Sequence, residues 1–316
     1  MSASIVAPLP RDGRAARYPR PVDPMADVPI DALADLLATH RTLVLSGAGI
    51  STDSGIPDYR GPDAAPRAPM RYATFLRDEA ARRRYWARSS VGWPVTARAR
   101  PNAAHAALAR LERRGVVAGV LTQNVDGLHQ QAGSRRVLEL HGSLAAVICL
   151  DCGVRSARAV LQERIRRANP AFHAEADDVA PDGDVEIPDA LTRDFVVPAC
   201  TTCGGTLKPD VVFFGENVPK PRVDRAWRML DEAEALLVLG SSLTVYSGYR
   251  FVRRARERGA PVAIVNDGPT RGDGDAALRS HGRLGEVLPA LAERLCARDP
   301  DPTARTEAAT PRAPLA

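Results

Sequence analysis

Four short apolar runs in this sequence each end at glycine or at a polar residue, and this repeated pattern limits the fold more than any other feature. The runs are Thr42–Ser46, Val116–Leu121, Ala235–Leu239 and Pro261–Val265. Their lengths suit buried strands, and stretches with the helical spacing of apolar residues lie between them. Strands that alternate with helices predict a doubly wound parallel α/β sheet, which binds its ligands at the carboxyl ends of the strands.

Polar side chains cluster where the second run ends. Gln123, Asn124 and Asp126 follow Leu121, and His141 follows another short apolar run. A single histidine is more often a packed or surface residue than a catalyst. Here, however, glycine-bearing strand ends elsewhere in the chain point to the same crevice, and an imidazole with a pKa near neutral suits general-base chemistry. We therefore expect His141 to face a polar crevice at the edge of the sheet.

The loop after the first run indicates a nucleotide site. Glycines in Gly47–Ser51 would let the backbone approach a phosphate, whose charge the amides of a following helix start would bind. Ser51 and Thr52 stand where a third glycine would complete the dinucleotide fingerprint, so the loop alone does not identify the ligand. Tyr59 and Arg60 follow in a second loop, which is either a turn with a surface arginine or a lid that covers a ribose and faces phosphate.

Four of the five cysteines form two Cys-x-x-Cys pairs, and Cys296 stands apart. An odd count without a signal peptide argues against a secreted disulfide framework. Two such pairs supply the four thiolates of a structural zinc site, which leaves no coordination position for a substrate. Coincidental pairing is the alternative. The predicted zinc ligands, separated by a long intervening loop, are Cys149, Cys152, Cys200 and Cys203.

The composition bears on partners and location. No apolar run approaches the roughly 20 residues that a membrane helix needs, so we expect no membrane association. The net charge is +5 and nearly all of the positive charge is arginine, since Lys208 and Lys220 are the only lysines. This bias is more typical of a GC-rich genome than of selection for phosphate binding. We expect a cytoplasmic monomer that binds no nucleic acid; the arginines at 11, 14, 17 and 20 make the mitochondrial matrix the alternative location.

Together these motifs resemble the sirtuins, a family of NAD-dependent protein-lysine deacylases, in order from about residue 28 to 296. The matching motifs are Gly47–Ser51, Gly55–Arg60, Gln123–Asp126, His141–Gly142, the two cysteine pairs, Phe214–Glu216, Gly240–Ser242 and Asn266–Gly268. Finer features look like the class II, mitochondrial lipoamidase-type branch, namely Tyr85–Arg88, Gly92–Pro94, Ala180–Asp184 and Val245–Tyr249. One departure is Tyr59, where phenylalanine is commoner in the family; the ring face is kept.

The resemblance implies transfer of an acyl group from lysine to ADP-ribose, with release of nicotinamide and 2′-O-acyl-ADP-ribose. His141 would take a proton from the ribose hydroxyls, and Asn124 would act with it in catalysis. The cofactors implied are NAD, consumed as a co-substrate, and one structural zinc ion. The NAD-binding residues implied are Gly47, Ala48, Gly49, Ser51, Asp58, Tyr59, Arg60, Gln123, Asn124, Asp126, Gly240, Ser241, Ser242, Asn266, Asp267, Gly268 and Leu284.

The resemblance also implies where an acyl-lysine protein or peptide binds. The peptide would enter as an added strand between the segments Val211–Gly215 and Ser242–Ser247, so that main-chain pairing tolerates many sequences. The residues implied for the first segment are Val211, Val212, Phe213, Phe214 and Gly215. Tyr85 and Arg88 lie three residues apart on a predicted helix, and desuccinylase sirtuins carry a similar pair. We expect this pair to favour branched dicarboxylic acyl groups of the glutaryl type over acetyl; the alternative is that Arg88 is a solvated charge.

The sequence also predicts a domain division. A discontinuous Rossmann-like, NAD-binding domain is expected over 28–142 and 211–297, with a helical insertion at about 60–100. A smaller zinc-binding module with a long loop is expected over 143–210, and disordered segments over 1–27 and 298–316. Mono-ADP-ribosyl transfer from the same NAD site is the nearest alternative activity. An NAD dehydrogenase and a nucleic-acid-binding zinc module, based on the arginines at 82–84 and 88, are more distant alternatives.

Overall fold

The computed structural model describes residues 29–60, 68–176 and 179–298. The predictions for 1–27, and for the tail beyond residue 298, lie outside the described residues. The strands are β1 Thr42–Ser46, β2 Val117–Thr122, β3 Val137–Glu139, β4 Gly142–Cys149, β5 Arg155–Ala157, β6 Leu207–Val211, β7 Ala235–Leu239, β8 Val262–Val265 and β9 Leu278–Ser280. The helices are α1 Ile30–Thr39, α2 Tyr72–Arg77, α3 Glu79–Arg98, α4 Ala103–Arg113, α5 Leu128–Gln131, α6 Arg158–Ala168, α7 Lys220–Asp231, α8 Tyr246–Glu257 and α9 Leu284–Arg298.

Six strands form a parallel sheet in the order β3-β2-β1-β7-β8-β9. Every residue of β1, β2, β7 and β8 is buried, as expected for strands covered by helices on both faces. Leucines of α1, α4 and α9 fill one face of the sheet, and α7 and α8 fill the other. The predicted doubly wound α/β fold is therefore confirmed. The strand order reverses beside β1, so the crevice between the ends of β1 and β7 is the place where such a sheet binds ligands.

A second, antiparallel sheet has the order β5-β4-β6 and packs on α3 and α6 through a separate apolar core. β4 begins immediately after His141, and β6 ends where the chain returns to the crevice. The amide of Val212 donates to the carbonyl of His141 over 2.7 Å, which joins these two crossing points. The smaller module is thus attached directly to the edge of the crevice.

Single residues and tertiary contacts set several of the element boundaries. The basic stretch from Ala73 to Arg88 forms two helices, because Asp78 lies between them and caps α3 by accepting from the Ala81 amide over 3.0 Å. α3 then continues through Pro94, held by the Trp86 and Trp93 indoles, which donate to the carbonyls of Leu207 and Leu144. β6 occupies Leu207–Val211 and ends at the first residue of the apolar run from Val211 to Phe214. None of the helices in the described ranges is both long and apolar enough to cross a membrane.

Candidate active site

A crevice of about 920 Å³ opens at the carboxyl ends of the parallel strands. Most of the side chains that the sequence singled out lie on its walls, although they come from segments more than a hundred residues apart. The predicted residues on its walls are Gly47, Ala48, Gly49, Ser51, Asp58, Tyr59, Arg60, Gln123, Asn124, Asp126, His141, Val211, Val212, Phe213, Phe214, Gly215, Gly240, Ser241, Ser242, Asn266, Asp267 and Gly268.

The glycine loop after β1 interlocks with the loop after β7. The amides of Gly47 and Gly49 donate to the carbonyls of Leu239 and Gly240 over 2.9 and 3.0 Å. A Cβ at Gly47 would lie 2.7 Å from the Gly240 carbonyl oxygen, and one at Gly240 would lie 2.7 Å from the Gly49 carbonyl carbon. The two loops therefore meet backbone to backbone, which leaves main-chain groups rather than side chains beside the crevice. Such a surface suits a phosphate group.

A buried serine orders the polar cluster that follows β2. The Ser51 hydroxyl donates to the Asp126 carboxylate over 2.8 Å and accepts from the Asn124 amide over 3.0 Å. The other Asp126 oxygen accepts from the Leu128 amide over 2.9 Å. An amide and a carboxylate are thereby fixed side by side on the crevice wall, where they can bind the hydroxyls and carboxamide of a nucleoside.

Gln123 connects three sides of the crevice. Its backbone amide donates to the carbonyl of Ser46 at the end of β1 over 2.9 Å, and its side-chain Nε2 donates to the Ser241 hydroxyl over 2.8 Å. Its own carbonyl lies 3.0 Å from Nδ1 of His141. Gln123 thus holds the ends of β1, β2 and β7 in fixed relation to the histidine.

His141 is held in one tautomer. A carbonyl oxygen can only accept, so Nδ1 carries the hydrogen towards Gln123 and Nε2 presents its lone pair. Nε2 lies 2.8 Å from the hydroxyl of Ser247. The pKa of His141 is lowered to about 4, chiefly by burial and also by the charges of Arg222 and Arg250, while the hydrogen bond to Gln123 acts in the opposite direction. The imidazole is therefore neutral at physiological pH and can accept a proton at Nε2.

The long loop of the smaller module forms part of the crevice wall. Pro181 and Asp182 line the crevice, and the Asp182 carboxylate accepts a hydrogen bond from Tyr59. Burial, followed by the nearby Asp182, raises the pKa of Tyr59 well above its ordinary value, so this phenol stays protonated. Sequence reasoning did not select Asp182 as a site residue, because its partner lies in a loop more than a hundred residues earlier.

Tyr85 and Arg88 do not line the crevice. The Arg88 guanidinium donates to both oxygens of Asp184 over 2.9 and 2.7 Å and to Glu186 over 2.6 Å. Tyr85 is 4% exposed and packs against Phe213 in the core of the smaller module. Neither residue is among the described residues on the crevice wall. The insertion thus supplies carboxylates that bind Arg88, and a role for this pair in binding the acyl group stays a prediction.

Leu284 also lies off the crevice wall. It is the first residue of α9 and is buried with the apolar side chains of α1 and α4. The residues on the crevice wall that the sequence did not select individually include Val245 and Ser247, at the start of α8. The segment from Val211 to Gly215 lines the same crevice.

The four predicted zinc ligands come together at the far end of the smaller sheet. Their sulfur atoms all lie within 4.8 Å of one another, with separations of 3.5 Å between Cys149 and Cys203 and 3.9 Å between Cys152 and Cys200. A tetrahedron with zinc–sulfur bonds of about 2.3 Å has edges of about 3.8 Å, so the set fits zinc. The amide of Thr202 also points at the Cys200 sulfur over 3.4 Å, which would stabilise a thiolate. None of these four cysteines is among the residues that line the crevice.

Comparison with known proteins agrees with this site. The family model described as the Sir2 family matches residues 47–247. The chain is 53% identical to NAD-dependent protein deacetylase 1 of Streptomyces coelicolor, over 86% of this chain and 93% of the relative. It is 51% identical to the human NAD-dependent protein lipoamidase sirtuin-4, mitochondrial, over 80% of this chain and 82% of the relative. A solved complex described as Sir2-p53 peptide-NAD+ superposes with a TM-score of 0.67 at 31% identity, covering 86% of this chain and 98% of that one.

Proposed function

The chain belongs to the Sir2 family and is an NAD-dependent protein deacylase, and from this premise we propose how its crevice divides the work among its residues. The observation that carries the proposal is His141, a neutral imidazole whose Nε2 lone pair faces the same crevice as the glycine loops. Similarity to the sirtuin-4 relatives agrees with a class II-type sirtuin.

The residues on the crevice wall fit NAD. The backbone of Gly47–Ser51 and of the loop at Gly240 would hold the pyrophosphate, and Asn266 would hold the adenosine ribose. Asn124 and Asp126, fixed by Ser51, would bind the nicotinamide ribose and carboxamide. NAD supplies the ribose that receives the acyl group and the nicotinamide that leaves. The packing of Leu284 near the adenine stays a prediction.

His141 would then act as the general base. Its Nε2 would take a proton from a ribose hydroxyl, and the Gln123 carbonyl would stabilise the resulting positive charge through Nδ1–H. The acyl-lysine peptide would lie between the segment from Val211 to Gly215 and the start of α8. Each side carries one exposed aromatic residue: Phe214, 38% exposed, in the first segment and Tyr246, 53% exposed, in α8. These two rings would cover the peptide on either side of the lysine.

The acyl group is proposed to be uncharged. Arg88 is already bound by two carboxylates, and the wall contributed by the insertion presents the carboxylate of Asp182 instead. A negative wall repels a dicarboxylic acyl group, which replaces the expectation of a glutaryl preference. The relatives' names, deacetylase and lipoamidase, both describe the removal of acyl groups without a free carboxylate.

The experiment that tests this function incubates the full chain with NAD and acetyl-lysine or lipoyl-lysine peptides and follows peptides and products by mass spectrometry. Deacylation gives one nicotinamide and one acyl-ADP-ribose for each free lysine. A peptide that gains the mass of ADP-ribose would instead support mono-ADP-ribosyl transfer, and a rise in NADH absorbance would support a dehydrogenase. Either result without acyl-ADP-ribose contradicts the proposal.

A further inference from the structure

Nε2 of His141 is occupied by the hydroxyl of Ser247, 2.8 Å away. Because Nδ1 donates to the Gln123 carbonyl, Nε2 is an acceptor and the Ser247 hydroxyl is the donor. The atom that must receive a proton during the reaction is therefore already the acceptor of a hydrogen bond. This contact is not explained by NAD binding or by peptide binding.

The fold brings Ser247 to this position through a close approach of α8 to the loop after β2. Ser247 is the second residue of α8, and Gly248 follows it. A Cβ at Gly248 would lie 2.5 Å from Oε1 of Gln123, so the absence of a side chain lets the first turn of the helix lie against that residue. Gln123 thus contacts α8 with its side chain and His141 with its carbonyl. Gln123 therefore fixes the position of Ser247 relative to His141.

The Ser247 backbone is fixed as well. Its carbonyl accepts from Nε of Arg250 over 3.2 Å, and the Arg250 guanidinium lies 5.5 and 5.3 Å from the ring centres of Trp227 and Phe251. The Arg250 side chain is therefore held against its own helix and the neighbouring rings. The hydroxyl of Ser247, in contrast, can turn about a single side-chain bond.

We propose that Ser247 is a positioning residue for His141, whose hydroxyl holds the Nε2 lone pair in the crevice until a ribose hydroxyl replaces it. A hydroxyl can donate to a neutral imidazole and accept from an imidazolium. Ser247 therefore supports the ring before the proton moves and after it has moved. The step itself breaks the ribose O–H bond and forms the Nε2–H bond, and Ser247 neither gains nor loses a proton.

This inference rests on the proposed deacylation, and its test separates the steps of that reaction. Nicotinamide exchange with the acyl peptide reports the first bond change, which precedes the need for a base, whereas deacylation needs both. Ser247→Thr keeps the hydroxyl, and Ser247→Val has nearly the shape of the threonine variant but lacks the hydroxyl. Ser156→Ala, on the exposed strand β5, is the control for a serine hydroxyl elsewhere.

We expect Ser247→Ala and Ser247→Val to lower kcat for deacylation about three- to tenfold, the effect of one neutral hydrogen bond, and to leave nicotinamide exchange within about twofold. Ser247→Thr should restore most of the loss, and Ser156→Ala should behave as wild type. Equal losses in exchange and deacylation, or equal activities of the Thr and Val variants, would overturn the positioning role.

A second measurement does not depend on activity. Nitrogen NMR of the protein labelled in its six histidines reports the tautomer of His141, assigned by its loss in His141→Ala. Wild type should show an Nδ1–H tautomer with a hydrogen-bonded Nε2, and Ser247→Ala should show the same tautomer with an Nε2 shift typical of a free lone pair. An unchanged Nε2 shift overturns the inference even if deacylation is confirmed. A wild-type protein that releases no nicotinamide contradicts the proposed function instead.

Discussion

At the scale of single residues, His141 combines a low pKa with a fixed tautomer, and both follow from its neighbours. His141→Ala removes the base but leaves Asn124, Asp126 and the glycine loops in place. We expect deacylation to fall by about 10²–10⁴-fold, the usual contribution of a general base, and nicotinamide exchange to fall much less. NAD binding by calorimetry should be retained. Loss of NAD binding by a folded variant would contradict the assigned role.

The sequence could predict which residue types form the crevice, but not which side chains form hydrogen bonds or ion pairs with them. Asn124, Asp126 and His141 each follow an apolar run, and the sheet brings the ends of such runs together wherever the fold is right. Arg88 shows what is missing. Its carboxylate partners lie 96 and 98 residues later in an irregular loop, and no periodicity predicts where such a loop folds back.

At the scale of elements, the smaller module holds the crevice from one side. β4 begins after His141, and β6 leads into the segment from Val211 to Gly215. We predict that Cys203→Ala abolishes zinc binding and causes unfolding or aggregation of this module, since structural zinc sites contribute about 10–16 kcal/mol of apparent binding energy. Cys296→Ala, in α9 and outside the cluster, should keep one zinc per chain by elemental analysis. A metal-free Cys203 variant with full activity would refute the structural role.

The insertion loop is predicted to select the acyl group through Asp182. Asp182→Asn removes the negative charge from the crevice wall, so kcat/KM for a glutaryl-lysine peptide should rise severalfold relative to acetyl-lysine. Asp189→Asn is the control, because its carboxylate is 75% exposed and lies away from the crevice wall. Arg88→Met should lower the melting temperature without reversing the acyl preference. A wild-type enzyme that prefers glutaryl-lysine, and loses that preference in Arg88→Met, would show that Arg88 selects the acyl group after all.

Element boundaries were harder to predict than element types. α3 runs through Pro94 because two indole hydrogen bonds and the core of the smaller module hold it. Local propensity predicts a break there, and tertiary contacts overcome it. By contrast, Asn102 caps α4 and Gly115 follows it with a φ of 75°, as local rules predict for the two ends of a helix.

At the scale of the whole molecule, a buried pair of histidines makes the free energy of unfolding depend on pH. His105 and His129 pack with ring centres 4.9 Å apart, and in the described part of the chain Nε2 of His105 and Nδ1 of His129 have no hydrogen-bond partner. Burial, and then the neighbouring His105, lowers the pKa of His129 to about 3; burial likewise lowers the pKa of His105. Both rings are neutral in the folded protein.

We therefore predict acid destabilisation that begins near pH 6.5. The unfolded chain binds protons at these two rings below that pH and the folded chain does not, so their contribution is complete above about pH 6.5 and is lost as pH falls towards the folded values. Each ring contributes a slope of up to about 1.4 kcal/mol per pH unit. Urea unfolding at pH 7.5 and 5.5 measures this loss. His129→Gln should reduce the slope and His173→Gln, at an exposed site, should not; equal slopes in both variants would contradict the prediction.

The interlocked glycines have a consequence for engineering the enzyme towards altered dinucleotides. Gly47, Gly49 and Gly240 fill one another's side-chain space with backbone, so no single substitution at any of them is sterically neutral. A library that randomises this loop would consist almost entirely of misfolded members. Asn266 to Gly268, by comparison, line the same crevice from a loop whose Gly268 has open space where a side chain would stand, although its φ of +107° favours glycine. Selections for use of an unnatural dinucleotide should therefore accumulate changes at Asn266 and Asp267, and leave the phosphate loop unchanged.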